Sequence, residues 1–401
     1  MDANPPHSLI FVSLEPWDEI WRRNQFFCAE LARRDRRRRI VFVGPAADLS
    51  AAVRRRTGRE LGRRGAYNPT NHPNITVTRP DKFLPNTLAP TRRINQAMVR
   101  RHVRRAARRL GFHAEGRRPV LWLNPPTATH LAGRMGEAGV VYDITDDWTR
   151  FGDDTPARRR LTRDDERLSH RADAIIVCSE DLADSKRDFA AKVTLIPNGV
   201  DFEHYRPARE PAGPAPRPDR AGPWLGYTGT IHRDRLDVDL VESLAKRMDA
   251  GAIELIGPNH LDPRERSRLE ATGRVSMPGP VPYAELPARM RRFDVCIVPH
   301  RVTPFTESLN PIKLWEYLAS GKPIVSTPVA GFRDYPQHVR LASDAASFLA
   351  AVREAGSDNG AHAEARRALA REHSWARRVD AVEGVLAAVA SRPATGEPTH
   401  A

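Results

Sequence analysis

Residues Ser308–Thr327 read SLNPIKLWEYLASGKPIVST. Ile324, Val325 and Ser326 form a short apolar run of the kind parallel strands use when both sheet faces are covered. Gly321 suits the left-handed residue that closes a preceding helix. At that helix's start, Asn310 can accept a hydrogen bond from the first free amides, and Pro311 suits the first position. A helix delivered into a buried strand requires an α/β layer. On the helix, Lys313, Glu316, Tyr317 and Ser320 share one face, while Ile312, Trp315 and Ala319 face another way, into the core. Core packing has no need of the Lys and the Glu. As a bare surface ion pair they would contribute only about 0.2–0.5 kcal/mol. Held at the carboxyl end of an α/β sheet, they make a site for an anionic, polyhydroxylated ligand. Arg carries almost all positive charge in this chain. The 64 Lys and Arg include only six Lys (Lys82, Lys186, Lys192, Lys246, Lys313, Lys322), two of them in this stretch. A Lys where Arg is the default points to a compact point charge, and phosphate is the usual reason for one.

Outward from this stretch the same alternation repeats. Apolar runs at Trp224–Tyr227, Ile253–Ile256, Val275–Met277 and Val295–Val298 precede it, separated by helical segments. Helices follow in 342–372, and His373–Ala390 reads as the last one. An earlier series comprises 8–14, Ile40–Val43, Ile75–Val77, Val120–Leu123, Val140–Asp143, Ala174–Cys178 and Val193–Ile196. A helix from Asp18 to Arg34 follows its first member. Two parallel α/β domains are therefore expected. The Pro-rich run in 204–223 reads as their connection, giving domains 1–203 and 204–401. Arg-rich residues 50–66 read as a helix or a loop, and 392–401 as a disordered tail.

At 401 residues and 40% apolar content, the chain is long enough for two cores. Cys28, Cys178 and Cys296 are odd in number and widely spaced, so they read as free thiols in a reducing compartment. There is no zinc pattern, no signal peptide, and no apolar stretch near the roughly 20 residues that span a bilayer. A cytoplasmic enzyme is expected. The net charge of +14 is uneven: residues 1–120 hold 26 Lys and Arg against 10 Asp and Glu, and the remainder is nearly balanced. That asymmetry points to an anionic partner for the first domain.

Ile94–Leu110 forms a helix with Ile94, Met98, Val99, Val103, Ala106 and Leu110 on one side. Arg100, Arg101, Arg104, Arg105, Arg108 and Arg109 crowd the other. Three readings stand beside each other. The face is simply solvated; or it docks on anionic lipid headgroups, each charge adding about 1 kcal/mol; or it binds nucleic acid. The last lacks interleaved aromatics and a known module, so no nucleic-acid partner is expected.

SLNPIKLWEYLASGKPIVST resembles the donor-site segment of GT-B-fold glycosyltransferases of the family 4, or group 1, type. LIPNGVDFEHYRP (Leu195–Pro207) resembles that family's entry into its second domain. GYTGTIHRDRLDVDLV (Gly226–Val241) and IELIGP (Ile253–Pro258) resemble that domain's first two strands. YDITDDW (Tyr142–Trp148) and WDEIWRRNQ (Trp17–Gln25) are similar to a bacterial polysaccharide and glycolipid branch of the family. The resemblance implies two Rossmann-like domains facing across a cleft, with the C-terminal helix returning toward the first. It implies transfer of a sugar, hexosyltransferase-like and metal-independent, from a nucleotide-sugar to a saccharide or lipid-linked acceptor. The nucleotide-sugar is a co-substrate, and no cofactor is expected. The enzyme would work in the cytoplasm, as a peripheral protein at the inner face of the plasma membrane, building a surface polysaccharide or glycolipid. A nucleotide-sugar epimerase on the same fold and a basic nucleic-acid-binding protein are the alternatives.

By the same resemblance, Glu316 binds the ribose hydroxyls and Lys313 the donor phosphates or sugar. Ser308, Asn310 and Pro311 line the sugar and phosphate pocket beside Leu314. Gly229 and Thr230, in a turn opening with Gly226, let backbone amides approach a diphosphate, or else only make a tight strand-to-helix turn. His232, Arg233 and Arg235 add positive charge or remain solvated, and Gly257-Pro258 offers backbone to the base. The family carries two glutamates separated by seven residues. Here the first falls on Ser308, and the nearest carboxylate, Glu307, is one position off. Donor sugar and anomeric outcome therefore stay open. For the acceptor, Asp146 and Asp147 are candidate general bases, or merely cap a helix. His130 is another base candidate, or a structural histidine. Arg100, Arg101, Arg104, Arg105 and Arg108 form the membrane or acceptor surface. No metal ligands are expected.

Overall fold

In the computed structural model the described residues are 7–48, 65–69, 71–86, 88–112, 118–147, 149, 154–206, 221–358 and 360–391. The chain divides into two compact units: Met1–Ile196 with Val379–Ala401, and Pro197–Arg378. Most of the Arg-rich 50–66 run and of the 204–223 connection, the 392–401 tail and Trp148 lie outside the described residues.

The main sheet of the first unit holds seven strands: β1 (Leu9–Val12), β2 (Ile40–Val43), β3 (Ile75–Thr78), β4 (Val120–Leu123), β5 (Gly139–Ile144), β6 (Ala174–Val177) and β7 (Val193–Leu195). They lie in the order β3-β2-β1-β4-β5-β6-β7 and every pairing is parallel. Almost every residue of the central strands is buried, because helices cover both faces of such a sheet. Strand order reverses between β1 and β4, so Ser13 and Asn124, which follow these strands, stand at the switch point. The main helices are α1 (Arg23–Arg34), α2 (Ala89–Arg109) and α3 (Pro156–Arg171). The first starts five residues later than its sequence signal; there Arg22 and Gln25 form a reciprocal cap.

The arginine helix departs from its expected pattern at one end. Val103 and Ala107 are buried, and Val99, Ala106 and Leu110 pack against the same core. Ile94 instead faces solvent, 50% exposed, and Asn95 takes the inward position. Asn95 fits there because its amide donates to Leu84 O at 2.7 Å and Asn86 Oδ1 at 2.8 Å.

The second unit repeats the plan with β8 (Trp224–Thr228), β9 (Ala252–Ile256), β10 (Val275–Gly279), β11 (Val295–Val298), β12 (Ile324–Ser326) and β13 (Val339–Leu341). The order is β10-β9-β8-β11-β12-β13, again all parallel. The sequence reading missed β13, a short edge strand with one buried residue. Around the sheet lie α4 (Val238–Arg247), α5 (Ile312–Ser320), α6 (Ala345–Gly356) and α7 (Ala363–Glu372). Gly321 closes α5 at φ +75° as its position requires. Asn310 does not cap α5. Pro311 is the N-cap, and Asn310 Oδ1 accepts from Asn198 N at 2.8 Å. Gly226 is a packing glycine: a Cβ there would lie 2.0 Å from the Phe293 ring.

The first break falls at 196/197, before the Pro-rich run, because Val200, Phe202 and Tyr205 already belong to the core that holds Trp315 and Leu318. The last helix, α8 (Trp375–Ala390), passes from one unit to the other. From Val379 it belongs to the first unit, where Glu383 pairs with Arg38 at 2.6 Å and Val389 fills the space above Gly139.

Candidate active site

In the second unit, strand order reverses between β8 and β11, where open α/β sheets bind ligands beyond their carboxyl ends. Gly229 follows β8 with φ +140° and Gly257 follows β9 with φ +144°, backbone conformations that suit glycine. A Cβ on Gly257 would fall 2.1 Å from Gly229 O, and one on Gly229 would fall 3.0 Å from Lys313 Nζ. The two backbones therefore touch, and the first turn of α5 lays an ammonium over them. Lys313 Nζ donates to the Tyr227 hydroxyl at 3.1 Å and lies 4.7 Å from that ring's centroid. The Tyr227 hydroxyl in turn donates to Thr230 O at 3.1 Å and lies 3.1 Å from His300 Nε2. His300 is fixed through Thr327, whose hydroxyl donates to His300 O at 2.7 Å.

Among the described residues Lys313 makes no ion pair. Its cation is held by a phenol and a ring face, so its charge stays available to an anion. Burial, then the Arg235 guanidinium, pull its pKa down to about 7, against the nearby Glu316 carboxylate. Burial, with Lys313 and Arg235, also holds His300 well below the usual histidine range, so it is neutral. One turn on, buried Glu316 accepts from the Tyr205 hydroxyl at 2.8 Å. Burial raises its pKa, opposed by the Tyr205 bond and Lys313. Tyr317 accepts from Thr228 N at 2.8 Å and fastens α5 to the end of β8.

The structure thus gathers Gly229, Thr230, Gly257, Lys313 and Glu316 at one corner, with Pro258 accepting from Ile231 N beside them at 2.9 Å. Other expected donor residues are used by the fold. Ser308 is buried and donates to Phe305 O at 2.8 Å. Asn310 is engaged with Asn198. The Pro311 ring fills the space beside Gly331, and Leu314 packs in the core. Ile312 is only half-buried rather than a core residue, and Ser320 donates to Tyr317 O within its own helix. Arg233 is exposed, 3.7 Å from Glu265. Glu307, the displaced carboxylate, pairs with Arg333. Sequence reasoning missed Tyr205 and His300. A polar residue just past the run Val295–Val298 was a usable signal for His300; Tyr205 had none.

In the first unit a buried polar cluster occupies the switch point. Arg23 pairs with Asp143 at 3.2 Å, and Arg23 lies over the Phe27 ring. Asn24 donates to Ser13 Oγ and Asn124 Oδ1, each at 2.9 Å, and Asn124 donates to Asp143 O at 2.9 Å. Burial pushes the Asp143 pKa up even against Arg23. Beyond β5, Asp147 is buried and accepts from Thr149 N at 3.1 Å, whereas Asp146 keeps part of its surface open. His130 Nδ1 lies 3.0 Å from Thr127 O, Nε2 is buried, and burial lowers its pKa. On α2, Arg101, Arg104, Arg105, Arg108 and Arg109 are exposed and Arg100 is half-buried. Among the described residues no group of His, Cys, Asp and Glu is placed to hold a metal ion.

Comparison with known proteins places this geometry. Residues 222–358 match the family model described as glycosyl transferases group 1. A protein of Bacillus subtilis (strain 168), assigned as a teichuronic acid biosynthesis glycosyltransferase, is 28% identical over 283 residues, covering 65% of this chain and 70% of its own. Sucrose-phosphate synthase from Thermosynechococcus elongatus matches with TM-score 0.66 at 16% identity, over 95% of this chain and 97% of that one. Anabaena HepE, solved with UDP and glucose, matches with TM-score 0.66 at 13% identity, over 95% and 99%. WaaG, a glycosyltransferase involved in lipopolysaccharide biosynthesis, matches with TM-score 0.65 at 14% identity, over 94% and 99%. This chain is a GT-B-fold glycosyltransferase whose second unit carries the group 1 glycosyltransferase domain.

Proposed function

We propose that the enzyme moves a sugar from a nucleotide-sugar donor, bound by the second unit, to a saccharide or lipid-linked acceptor. The product is a cell-surface polysaccharide or glycolipid. The observation that carries this reading is the corner itself: a Lys313 side chain, in no ion pair among the described residues, over the Gly229 and Gly257 backbones, with the Glu316 carboxylate one turn away. Lys313 and the amides after β8 stabilise negative charge growing on the leaving diphosphate. Glu316 takes the ribose hydroxyls. HepE has been solved with UDP-glucose, which makes a UDP-sugar the first donor to test. The Bacillus relative is assigned to teichuronic acid biosynthesis and WaaG is involved in lipopolysaccharide biosynthesis, which supports the acceptor class. Neither relative favours the epimerase.

Asp146 is the proposed general base. Asp147 is buried against Thr149, and the free lone pair of His130 is buried at Nε2, so neither meets an acceptor as readily. The arginine face of α2 is the surface proposed for anionic lipid headgroups at the inner face of the membrane, where lipid-linked acceptors lie. No helix among the described residues is long and apolar enough to cross a membrane.

The reading is tested by incubating the enzyme with UDP-, GDP- and TDP-sugars and following nucleoside diphosphate release. Release from one base class is expected, and Glu316→Ala should abolish donor binding by calorimetry. Unchanged binding in that variant would refute the site. Asp146→Asn should lower kcat by about 10²–10⁴-fold with donor affinity unchanged, the usual contribution of a general base.

A further inference from the structure

Three of the six large apolar side chains exposed among the described residues fall within one short stretch: Phe83 at 51%, Leu88 at 64% and Ile94 at 50%. The fold brings them to one end of α2. Asn95 ties the 84–86 loop onto the helix, and the Thr91 hydroxyl donates to Pro85 O at 2.7 Å and Leu88 O at 2.9 Å. The loop is thus strapped to the helix, with Phe83 and Leu88 on either side of it left outside. Ile94 also opens a single exposed stripe along the helix: Ile94, Ala97, Arg101, Arg104, Arg105 and Arg108 fall at helical spacing and all are exposed. The stripe is apolar at its start and wholly cationic after one turn.

Among the described residues the cations of that stripe have no carboxylate partner. Helix α2 contains eight Arg and no Asp or Glu. Among the described residues none of Arg93, Arg101, Arg105 or Arg108 makes an ion pair, and Arg104 uses its side chain only to reach Arg134 O. An ordinary solvated face mixes both signs, and a protein partner of mixed charge would leave most of these guanidiniums unpaired. Nucleic acid would answer the charge, but a duplex takes apolar side chains only as wedges between base steps that must first be unstacked at a cost. A bilayer with anionic headgroups answers both, with a charged plane above an apolar interior.

We propose that this end of α2 is a two-part membrane anchor: Phe83, Leu88 and Ile94 enter the acyl boundary while Arg101, Arg104, Arg105 and Arg108 lie on anionic headgroups. The proposal rests on the lipid-facing reading above and adds the apolar insertion and the residues that make it. Neither part suffices alone, as is usual for reversible anchors that need two signals.

The test uses the full chain and vesicles of phosphatidylcholine with or without phosphatidylglycerol. Wild type should sediment with the anionic vesicles and not with the neutral ones. The Phe83→Ser/Leu88→Ser/Ile94→Ser variant should bind anionic vesicles at least tenfold more weakly and lose what remains at high salt. Leu88→Cys can be labelled with an environment-sensitive dye, because the three native cysteines are buried. Its emission should shift blue on anionic vesicles. UDP binding by calorimetry, run on every variant, reports separately on folding and on the donor site. Unchanged vesicle affinity in the triple variant, or no blue shift, would overturn the anchor while leaving the donor site standing. Binding to duplex DNA but not to anionic vesicles would also overturn it.

Discussion

Lys313 is poised to titrate near neutrality, held there by burial and by Arg235. A diphosphate against Nζ favours the charged form and so raises its pKa. The sign follows directly. Below pH 7 the free enzyme already holds the proton, so binding takes up almost none. Above pH 7 the free lysine is mostly neutral, and binding must capture a proton. UDP binding should therefore take up close to one proton at about pH 8 and weaken as pH rises further. Calorimetry in buffers of different ionisation enthalpy measures this, and Lys313→Arg, always charged, should abolish the uptake. Uptake that is the same at both ends of the range would count against the assignment. At Glu316, Tyr205→Phe removes the hydroxyl donor to a buried carboxylate. The variant should lose about 1–3 kcal/mol of stability in urea denaturation. Lys313 and Glu316 were readable in advance because polar residues at helical spacing stand out in an apolar stretch. Their partners were not, because Tyr205 and Tyr227 lie 111 and 86 residues away.

Strands and helices carry the next level. The short runs around Ile40–Val43, Val120–Leu123, Val295–Val298 and Ile324–Ser326 matched their strands end to end, since a parallel strand covered on both faces must be apolar throughout. The glycines beside them mean different things. Gly257→Ala would place a methyl 2.1 Å from a backbone oxygen that cannot move aside, at a φ that L side chains avoid. Gly226→Ala would drive one into Phe293. Each should cost roughly 1–3 kcal/mol or more, as overpacking does. Gly356→Ala, at the end of α6 with nothing within 4 Å, should instead stabilise by about 0.4–1 kcal/mol. Thermal melts of the three variants check the contrast, and a tolerated Gly257→Ala would contradict the close approach that shapes the donor corner.

For the whole molecule, the C-terminal helix is the part whose role depends on both units. Val382, Leu386 and Val389 are buried, and Glu383 meets Arg38. A chain ending at Arg378 would expose those apolar contacts in the first unit, each worth about 1.5–3 kcal/mol. That unit should melt earlier or aggregate, while the UDP binding proposed for the second unit should be retained; calorimetry and scanning fluorimetry read the two separately. An unchanged melt would show that the helix contributes little to the first unit.

Local chemistry in the chain was enough to specify two parallel α/β layers, a helix carrying the lysine and glutamate proposed to meet the donor, and a first domain rich in positive charge. These depend on periodicity, punctuation by glycine and proline, and composition, all of which act over a few residues. Folding in three dimensions decided which residues the site keeps. Asn310 turned to Asn198, Ser308 to its own helix end, Ile94 outward, and the last helix joined the first unit. Ser308 found its partner three residues away, but the other outcomes are set by packing and hydrogen-bond satisfaction between segments that no local pattern brings together.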